Sequence, residues 1–564
     1  MSLRFFVGPF VILAFSWCVP AQTVSSDPTN IMAIKRSFDE ERWLEVIRLA
    51  ETTPNKTPDV NYYHGIALAK LERWDEARTV FQRGLIQNPA DKRFFIELAG
   101  VSFRQKRISS AFDHLHGALK IDPTDGYANN FLASLYYLQG NIEASLKYWN
   151  RVSKPDLVEV RVEPTPGVDP VLLDRAFSFA PLSKLVLQDF QTTDARVKGL
   201  DVFNNYRFDL QARPDEKFDM VLRASERKGL ESGGWRSLIP LLRGLPFQTI
   251  HPEIFNIGGR AMNFVSLIRW DSKKERIWAN FSGPLSGDPK WRYGFAFDLR
   301  REEWDIRDSS TDRSQSRGSF NLRKQVIQAE IDSFASGRLT LSTGIEASDR
   351  GYDQVNVVDG SIPELQVEGF ELKHLALAKY DLIRVPEKRL LITSSAATEF
   401  ARIWSNPSYL FARLQLSVQT HWFPKAQGDD YEILLKTRAG GTIGRIPFDE
   451  LFVLGLERDN SLWLRAHIGA YDGRKGSAPL GRNYFLANWE IDKNIYNDGL
   501  ISFKLGPLLD IGRITDSSTR LGSGKWLWDL GVQTKIKILG VGVAVSYGKD
   551  LRSGANAFYV STTR

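Results

Sequence analysis

The sequence predicts a multidomain chain: an α-helical repeat solenoid, a small α+β unit, and a C-terminal transmembrane antiparallel β-barrel of about 16 strands. Three observations predict it. Helix pairs repeat every 34 residues over 30–153, the hydrophobic period changes near residue 155, and short alternating strands then run on without a long apolar stretch. The expected divisions are an export signal at 1–21, repeats at 30–153, the α+β unit at 155–229 and the barrel at 231–564.

The export signal is read first because it fixes the compartment. Arg4 is the lone charge ahead of an apolar stretch at 5–17, which is too short to span a bilayer, and Val19-Pro20-Ala21 offers small residues before Gln22. Cleavage is expected after Ala21. Cys18 would suit a lipoprotein, but Trp17 stands where such a signal wants a small residue. Cleavage removes the only cysteine, which suits an oxidising compartment and leaves neither a Cys nucleophile nor a Cys-based metal site. The 564 residues, 43% apolar and 12% aromatic, suffice for several packed cores. The 74 basic and 67 acidic residues, net +7, are interspersed rather than blocked, so no nucleic-acid partner is expected.

In the repeats, Pro89 and Pro123 lie 34 apart, as do Ala77 and Ala111, and Ser145 takes the small-residue place 34 further on. Leu68, Phe81, Leu98, Leu115 and Leu132 supply apolar stripes at helical spacing. The stretch resembles the tetratricopeptide repeat in Gly65-Ile66-Ala67-Leu68, Asp75-Glu76-Ala77, Asn88-Pro89, Ile121-Asp122-Pro123 and Gly140-Asn141-Ile142-Glu143-Ala144. Three repeats are clear, and a degenerate one surrounds Trp43 to Leu49. The resemblance implies a concave face for a peptide or partner protein. A spacer docked only on its own chain is the alternative.

Next, 157–162 reads as a strand, 170–179 and 193–200 as helices, and 202–210 and 218–224 as strands. This order, with Leu185 between the helices, Val202-Phe203 opening a strand and Glu226-Arg227 closing the unit, resembles the polypeptide-transport-associated (POTRA) domain. That domain precedes the barrel in BamA-type assembly proteins and two-partner secretion transporters. Asp201 stands where the family commonly has a glycine.

Alternation defines the barrel. Val541, Val543, Val545 and Tyr547 are bulky and apolar, whereas Gly540, Gly542, Ala544 and Ser546 between them are small or polar. Long polar connections are expected at 308–318 and 349–364, and a tight turn at Asn497-Asp498-Gly499. A closing strand is read at 556–564, although outer-membrane barrels mostly finish on an aromatic residue and here Arg564 is last.

The stretch 448–512 carries the most specific chemistry. Phe448-Asp449-Glu450-Leu451 leads to Leu464-Arg465-Ala466-His467, then to a strand with Asn488 and Glu490, then to Leu508-Leu509-Asp510-Ile511-Gly512. This is similar to the late barrel of the same transporter superfamily. There a loop with an Arg-Gly-aromatic tip enters the lumen and a strand bears Phe-x-Asp-x-Gly. Leu508 replaces the Phe, and Ala466 and His467 replace the glycine and aromatic. Alternation places Glu490 opposite Phe485, Ala487, Trp489 and Ile491, on the lumen face with Asp510. Arg465 is their natural counter-ion, so the expected lumen contact comprises Arg465, Asp510, Glu490 and Gly512. A solvated Arg465 in a surface loop is the alternative.

Catalytic patterns are lacking. The seven histidines form no His-Glu-x-x-His, and there is no Gly-x-Ser-x-Gly elbow or phosphate-cradling loop. Gly440-Gly441-Thr442-Ile443-Gly444 is expected to be a turn or bulge, and His64, His114 and His116 to be packing or surface residues. No enzyme, cofactor or metal is implied. The resemblance implies a barrel in the outer membrane of a Gram-negative bacterium. Periplasmic repeats and the POTRA-like unit would receive an unfolded or secreted client protein, which the barrel inserts or translocates. A polysaccharide-export porin with a tetratricopeptide scaffold is the alternative, and it would want an open polar lumen.

Overall fold

The computed structural model describes residues 28–230, 241, 244–307, 316–357, 365–425, 428–497, 501–516, 521–538 and 541–563. The export signal at 1–21, most of the turn at Asn497-Asp498-Gly499, and Arg564 lie outside the described residues. The chain forms two compact units, Met1–Leu132 and Ala133–Arg564.

The first unit is helical: α1 (Pro28–Asp39), α2 (Trp43–Thr52), α3 (Pro58–Lys70), α4 (Trp74–Gln87), α5 (Lys92–Arg104), α6 (Ile108–Ile121) and most of α7 (Gly126–Leu138). Thr57 starts α3 by accepting a hydrogen bond from the Val60 amide, with Pro58 in the first turn, and Asp91 caps α5 through the Arg93 amide. Aromatic rings explain the small residues of the repeat. The Phe81 ring lies 2.4 Å from where a Cβ on Gly65 would sit, and the Phe94 ring 2.2 Å from the same point on Gly84. Ala77 and Ala111 are fully buried. The degenerate stretch forms α2, whose Val46, Ile47 and Ala50 join the common core.

His64 is buried in α3, and neither ring nitrogen has a hydrogen-bond partner among the described residues. Burial, with Lys56 adding repulsion, lowers its pKa to about 4. An unfolded histidine titrates near pH 6.5, about where protonation starts to favour the unfolded chain. Stability of the repeats is therefore fully present above that value and falls as pH drops toward the folded pKa. Thermal melts followed by the helical circular-dichroism signal should weaken between pH 7 and 4.5, and His64→Leu should flatten that dependence.

The second unit begins with the end of α7 and α8 (Ile142–Trp149), followed by β1 (Leu157–Glu163), α9 (Pro170–Ala176), α10 (Leu187–Leu200), β2 (Phe203–Ala212) and β3 (Phe218–Glu226). The sheet order is β1-β3-β2, with β3 parallel to β1 and antiparallel to β2. Two helix limits differ from the sequence reading. The first helix stops at Ala176, because Phe177 turns extended and the Ser178 amide bonds Thr193 Oγ1. The second starts at Leu187, not 193: Thr192 and Thr193 lower its helical propensity, yet both are buried, in line with Phe190 and Val197. Leu185 is fully buried between the helices.

The barrel opens with β4 (Thr249–Ile250) and β5 (Glu253–Ile257), which both pair with β6 (Met262–Asp271) and make one strand interrupted at Pro252. There follow β7 (Lys274–Leu285), β8 (Asp288–Arg307), β9 (Ser316–Ser333), β10 (Leu339–Val357), β11 (Gly369–Val385), β12 (Leu390–Trp404), β13 (Tyr409–Trp422) and β14 (Tyr431–Gly444). A long excursion holds the short β15 (Phe452–Val453), β16 (Ala470–Tyr471), β17 (Arg474–Lys475) and β18 (Leu480–Gly481). The wall resumes with β19 (Asn483–Asn497), β20 (Ile501–Thr515), β21 (Leu527–Ile538), β22 (Val541–Asp550) and β23 (Asn556–Thr563). β14 pairs with β19 across the excursion, so among the described residues fifteen antiparallel wall strands follow in chain order if β4 and β5 count as one. β23 lies beside β4 in the strand order, and no residue-by-residue ladder joins them among the described residues.

Outward positions are apolar, as at Phe295, Phe297 and Leu299, while inward ones such as Asp298 are buried and charged. No helix among the described residues is long and apolar enough to cross a membrane. Two expectations are corrected. The polar stretch from 349 is strand as far as Val357, where Arg350 faces the lumen in an ion pair with Glu371. β10 has 19 residues, roughly 60 Å of strand, about twice what a bilayer core needs. Polar residues there belong to a strand that runs well beyond that length. Gly440 and Gly441 lie within β14 instead of forming a turn. A Cβ on Gly440 would stand 2.5 Å from the Tyr484 ring and 3.0 Å from that of Phe452.

At the domain end of the barrel, Arg175 donates to the Gly287 carbonyl, Asn263 to the Leu200 carbonyl, and the Gly337 amide to Thr192. There α8 also holds the β11–β12 turn, through Glu143 with Arg384 and through Lys147 and Tyr148 with Glu387. Of the connection expected at 308–318, residues 308–315 lie outside the described residues, as do 358–364 of the one expected at 349–364.

Candidate functional site

The excursion between β14 and β19 enters the barrel. Its first turn puts Ile446, Phe448 and Leu451 into an apolar cluster with Trp304, Phe320 and Ile403 of the wall. The Phe448 ring meets Phe320 and Trp304 edge-on, at centroid distances of 4.9 and 5.1 Å. Further on, Phe452, Leu454, Leu462 and Leu464 pack on Tyr484, Leu486, Ile514 and Leu527. Burial of these groups is the non-directional part of the anchoring.

Ion pairs fix its position at three places around the wall. In the first, Glu450 accepts from Lys324 at 2.6 Å, Lys373 at 2.9 Å and Arg413 at 2.6 Å, while Asp449 meets Lys324 at 2.8 Å and Arg350 at 3.5 Å. In the second, Glu457 holds Lys274 at 3.0 Å, Asp459 holds Arg269 at 2.8 Å and Arg276 at 2.7 Å, and Lys475 holds Glu302 at 2.6 Å.

The third contains the residues singled out from the sequence. Arg465 grips Asp510 with Nε at 2.9 Å and Nη2 at 2.6 Å, and its own amide donates to Asp510 at 3.0 Å. Nη1 reaches Glu490 at 2.6 Å and Gln533 at 3.1 Å. Asn488 donates to Asp510 at 2.7 Å and Lys535 to Glu490 at 2.7 Å. Asp510 is fully buried and Arg465 nearly so. Gly512 leaves room for Leu464, whose Cδ1 lies 2.9 Å from where a Cβ would be. At the altered tip, the Ala466 amide donates to Asp529 at 2.7 Å and His467 Nδ1 lies 3.2 Å from the same carboxylate.

Sequence reasoning found the third cluster and missed the other two. A usable signal was present: Lys324, Lys373 and Arg413 occupy inward positions on the alternate strands β9, β11 and β13, facing a loop that carries the adjacent acids Asp449 and Glu450. Missing it followed from treating each strand by itself. Along the loop the charge reverses, acidic at the first two clusters except for Lys475 and basic at the tip, so each contact fits only its own part of the wall.

Gly548 on β22 has a separate steric role. A Cβ there would lie 2.5 Å from the Arg465 carbonyl oxygen, a backbone atom with little freedom to move. Gly548→Ala should push the tip off the wall and weaken the Arg465 contacts, giving faster proteolysis within 445–482 while the strand signal in circular dichroism is kept.

The fold and site define an antiparallel β-barrel whose lumen is occupied by an inward-folded loop, with a β-α-α-β-β unit at one mouth and helix pairs ahead of it in the chain. Among solved structures, BamA from Haemophilus ducreyi lacking POTRA domains 1–3 is similar at 10% identity over 72% of this chain and 84% of that one, with a TM-score of 0.41. CdiB from Escherichia coli is similar at 10% identity over 73% and 75%, TM-score 0.45, and CdiB from Acinetobacter baumannii at 12% over 83% and 86%, TM-score 0.42. No protein-family model matches the chain, and no curated protein does.

Proposed function

We propose that the chain is an outer-membrane barrel of the protein-handling class, which inserts or translocates client proteins. The observation that carries this reading is the loop pinned within the lumen at three charged clusters, on strands from β6 to β13 and from β19 to β21. A porin for polysaccharide export would want that space open and wet. In this reading the repeats and the POTRA-like unit lie in the periplasm of a Gram-negative bacterium and bind the client or a partner, by groove binding or by strand addition to the edge strand β2. Energy comes from client folding and burial, and no cofactor takes part.

Planar bilayers containing the purified mature chain test the reading. Low, fluctuating conductance that becomes large and steady in Arg465→Ala is the expected result, together with faster membrane assembly of an unfolded β-barrel client in vesicles that hold the wild-type chain. A steady open pore in the wild type, unchanged by the substitution, would favour the exporter.

A further inference from the structure

Asp529 and Asp550 differ from the other buried carboxylates that surround the pinned loop. Asp510, Glu490, Asp449, Glu450, Glu457, Asp459 and Glu302 each have an Arg or Lys nitrogen within 4.0 Å. Asp529 and Asp550 have none among the described residues, and their only ion-pair partner is His467, between them. All three side chains are almost completely buried. Asp529 Oδ1 has no hydrogen-bond partner among the described residues, although the residue is fully buried. Two buried carboxylates thus share a single imidazole, with no Arg or Lys among the described residues to compensate them, which is costly in a dry site.

Their geometry suits a metal. One donor atom from each of the three residues lies within 4.8 Å of the other two. His467 Nδ1 and Asp529 Oδ2 are 3.2 Å apart, close to the roughly 3.3 Å between neighbouring ligands of a tetrahedral zinc ion with 2.0–2.1 Å bonds. Asp550 Oδ2, 3.8 Å from His467 Nε2, is the donor that must swing inward. Its carboxylate accepts from the amides of Arg552 and Ser553 and from the Ser553 hydroxyl, and binding would exchange the Oδ2 bonds for the ion. A second group, Glu346, Glu371 and Glu450, also meets the spacing, but Lys373 contacts all three of these and already supplies the cation.

We infer that His467, Asp529 and Asp550 form a binding site for a first-row divalent cation, Zn2+ or Mn2+, which ties the loop tip to β21 and β22. Mixed imidazole and carboxylate donors suit these ions better than Mg2+, which keeps its water and prefers oxygen. The three ligands come from the excursion and two strands, so the ion would cross-link the loop to the wall independently of the Arg465 contacts.

The test uses the untagged mature chain in detergent, stripped with chelator and then given Zn2+, Mn2+ or Mg2+ alone. Expected results are one tightly bound Zn2+ or Mn2+ per chain, a higher unfolding temperature and slower proteolysis within 445–482, with no such effect from Mg2+. His467→Phe and Asp529→Asn should each weaken binding by about tenfold or more, since loss of even a supporting group costs that much. Both leave the Arg465 and Asp510 pair in place, and their metal-free heat resistance serves as the check on folding. Asp550→Asn replaces whichever of them fails that check. Absence of stoichiometric binding by the wild type, or binding undiminished in the folded variants, overturns the proposal.

Discussion

Arg465→Ala is expected to release the loop tip and open the barrel. The substitution leaves Asp510 fully buried with only Asn488 and the backbone amide of residue 465 for company, and removes one of two cations from Glu490. Removing one partner of a buried pair costs about 3–5 kcal/mol, mainly through the charge left behind. The expected signs are a lower temperature for loss of heat-modified mobility, rapid cleavage within 445–482, and steady conductance in bilayers. Arg465→Lys should recover little, because an ammonium cannot span two Asp510 oxygens, Glu490 and Gln533 at once. Unchanged cleavage and conductance in Arg465→Ala would show that the tip is held without the Arg465 contacts.

Glu450→Ala is expected to be more damaging to stability. Four basic groups, Lys324, Lys373, Arg413 and, at 3.7 Å, Arg350, converge on this carboxylate, and all come from the wall. Without it they repel one another in a buried space, with only Asp449 beside Lys324 and the wall acids Glu346, Glu371 and Glu399 for compensation. The loss should reach or exceed the roughly 3–5 kcal/mol of a single broken pair. Glu450→Gln keeps the shape and should be nearly as harmful, which separates charge from packing. The contrast with Arg465 is in function: Glu450 sits at the loop's root beside Phe448 and Leu451, so its loss should lower unfolding temperature more than it raises conductance. Equal stability of Glu450→Gln and wild type would refute the charge argument.

Much of the fold was legible because it rests on periodicity. The 34-residue spacing of Ala77, Ala111 and Ser145 marks helix contacts that need small residues, and alternation at Tyr293 to Leu299 marks a two-faced strand. Local signals failed where tertiary packing overrode them. Thr192 and Thr193 disguised the first turns of α10, and charges at 349–353 read as loop because strands were assumed to end at the membrane. Gly440 and Gly441 read as a turn because nothing in the local sequence shows the rings of Tyr484 and Phe452 arriving from elsewhere.

The candidate site divides the same way. Arg465, Asp510 and Glu490 could be paired from sequence, since an inward carboxylate in a strand demands a cation and a nearby loop offered one. The roles of Asp449, Glu450, Glu457 and Asp459 could not, because their wall partners lie 37–190 residues away, spread over many strands that only barrel curvature brings together. Local periodicity was enough to read the order from helices to strands and the face each strand residue takes, and residue identity alone gave the charge of the loop tip. Only the tertiary structure decided how the loop fills the lumen and that His467 meets Asp529 and Asp550. Those contacts depend on strand register and closure, through which side chains far apart in sequence share one buried space.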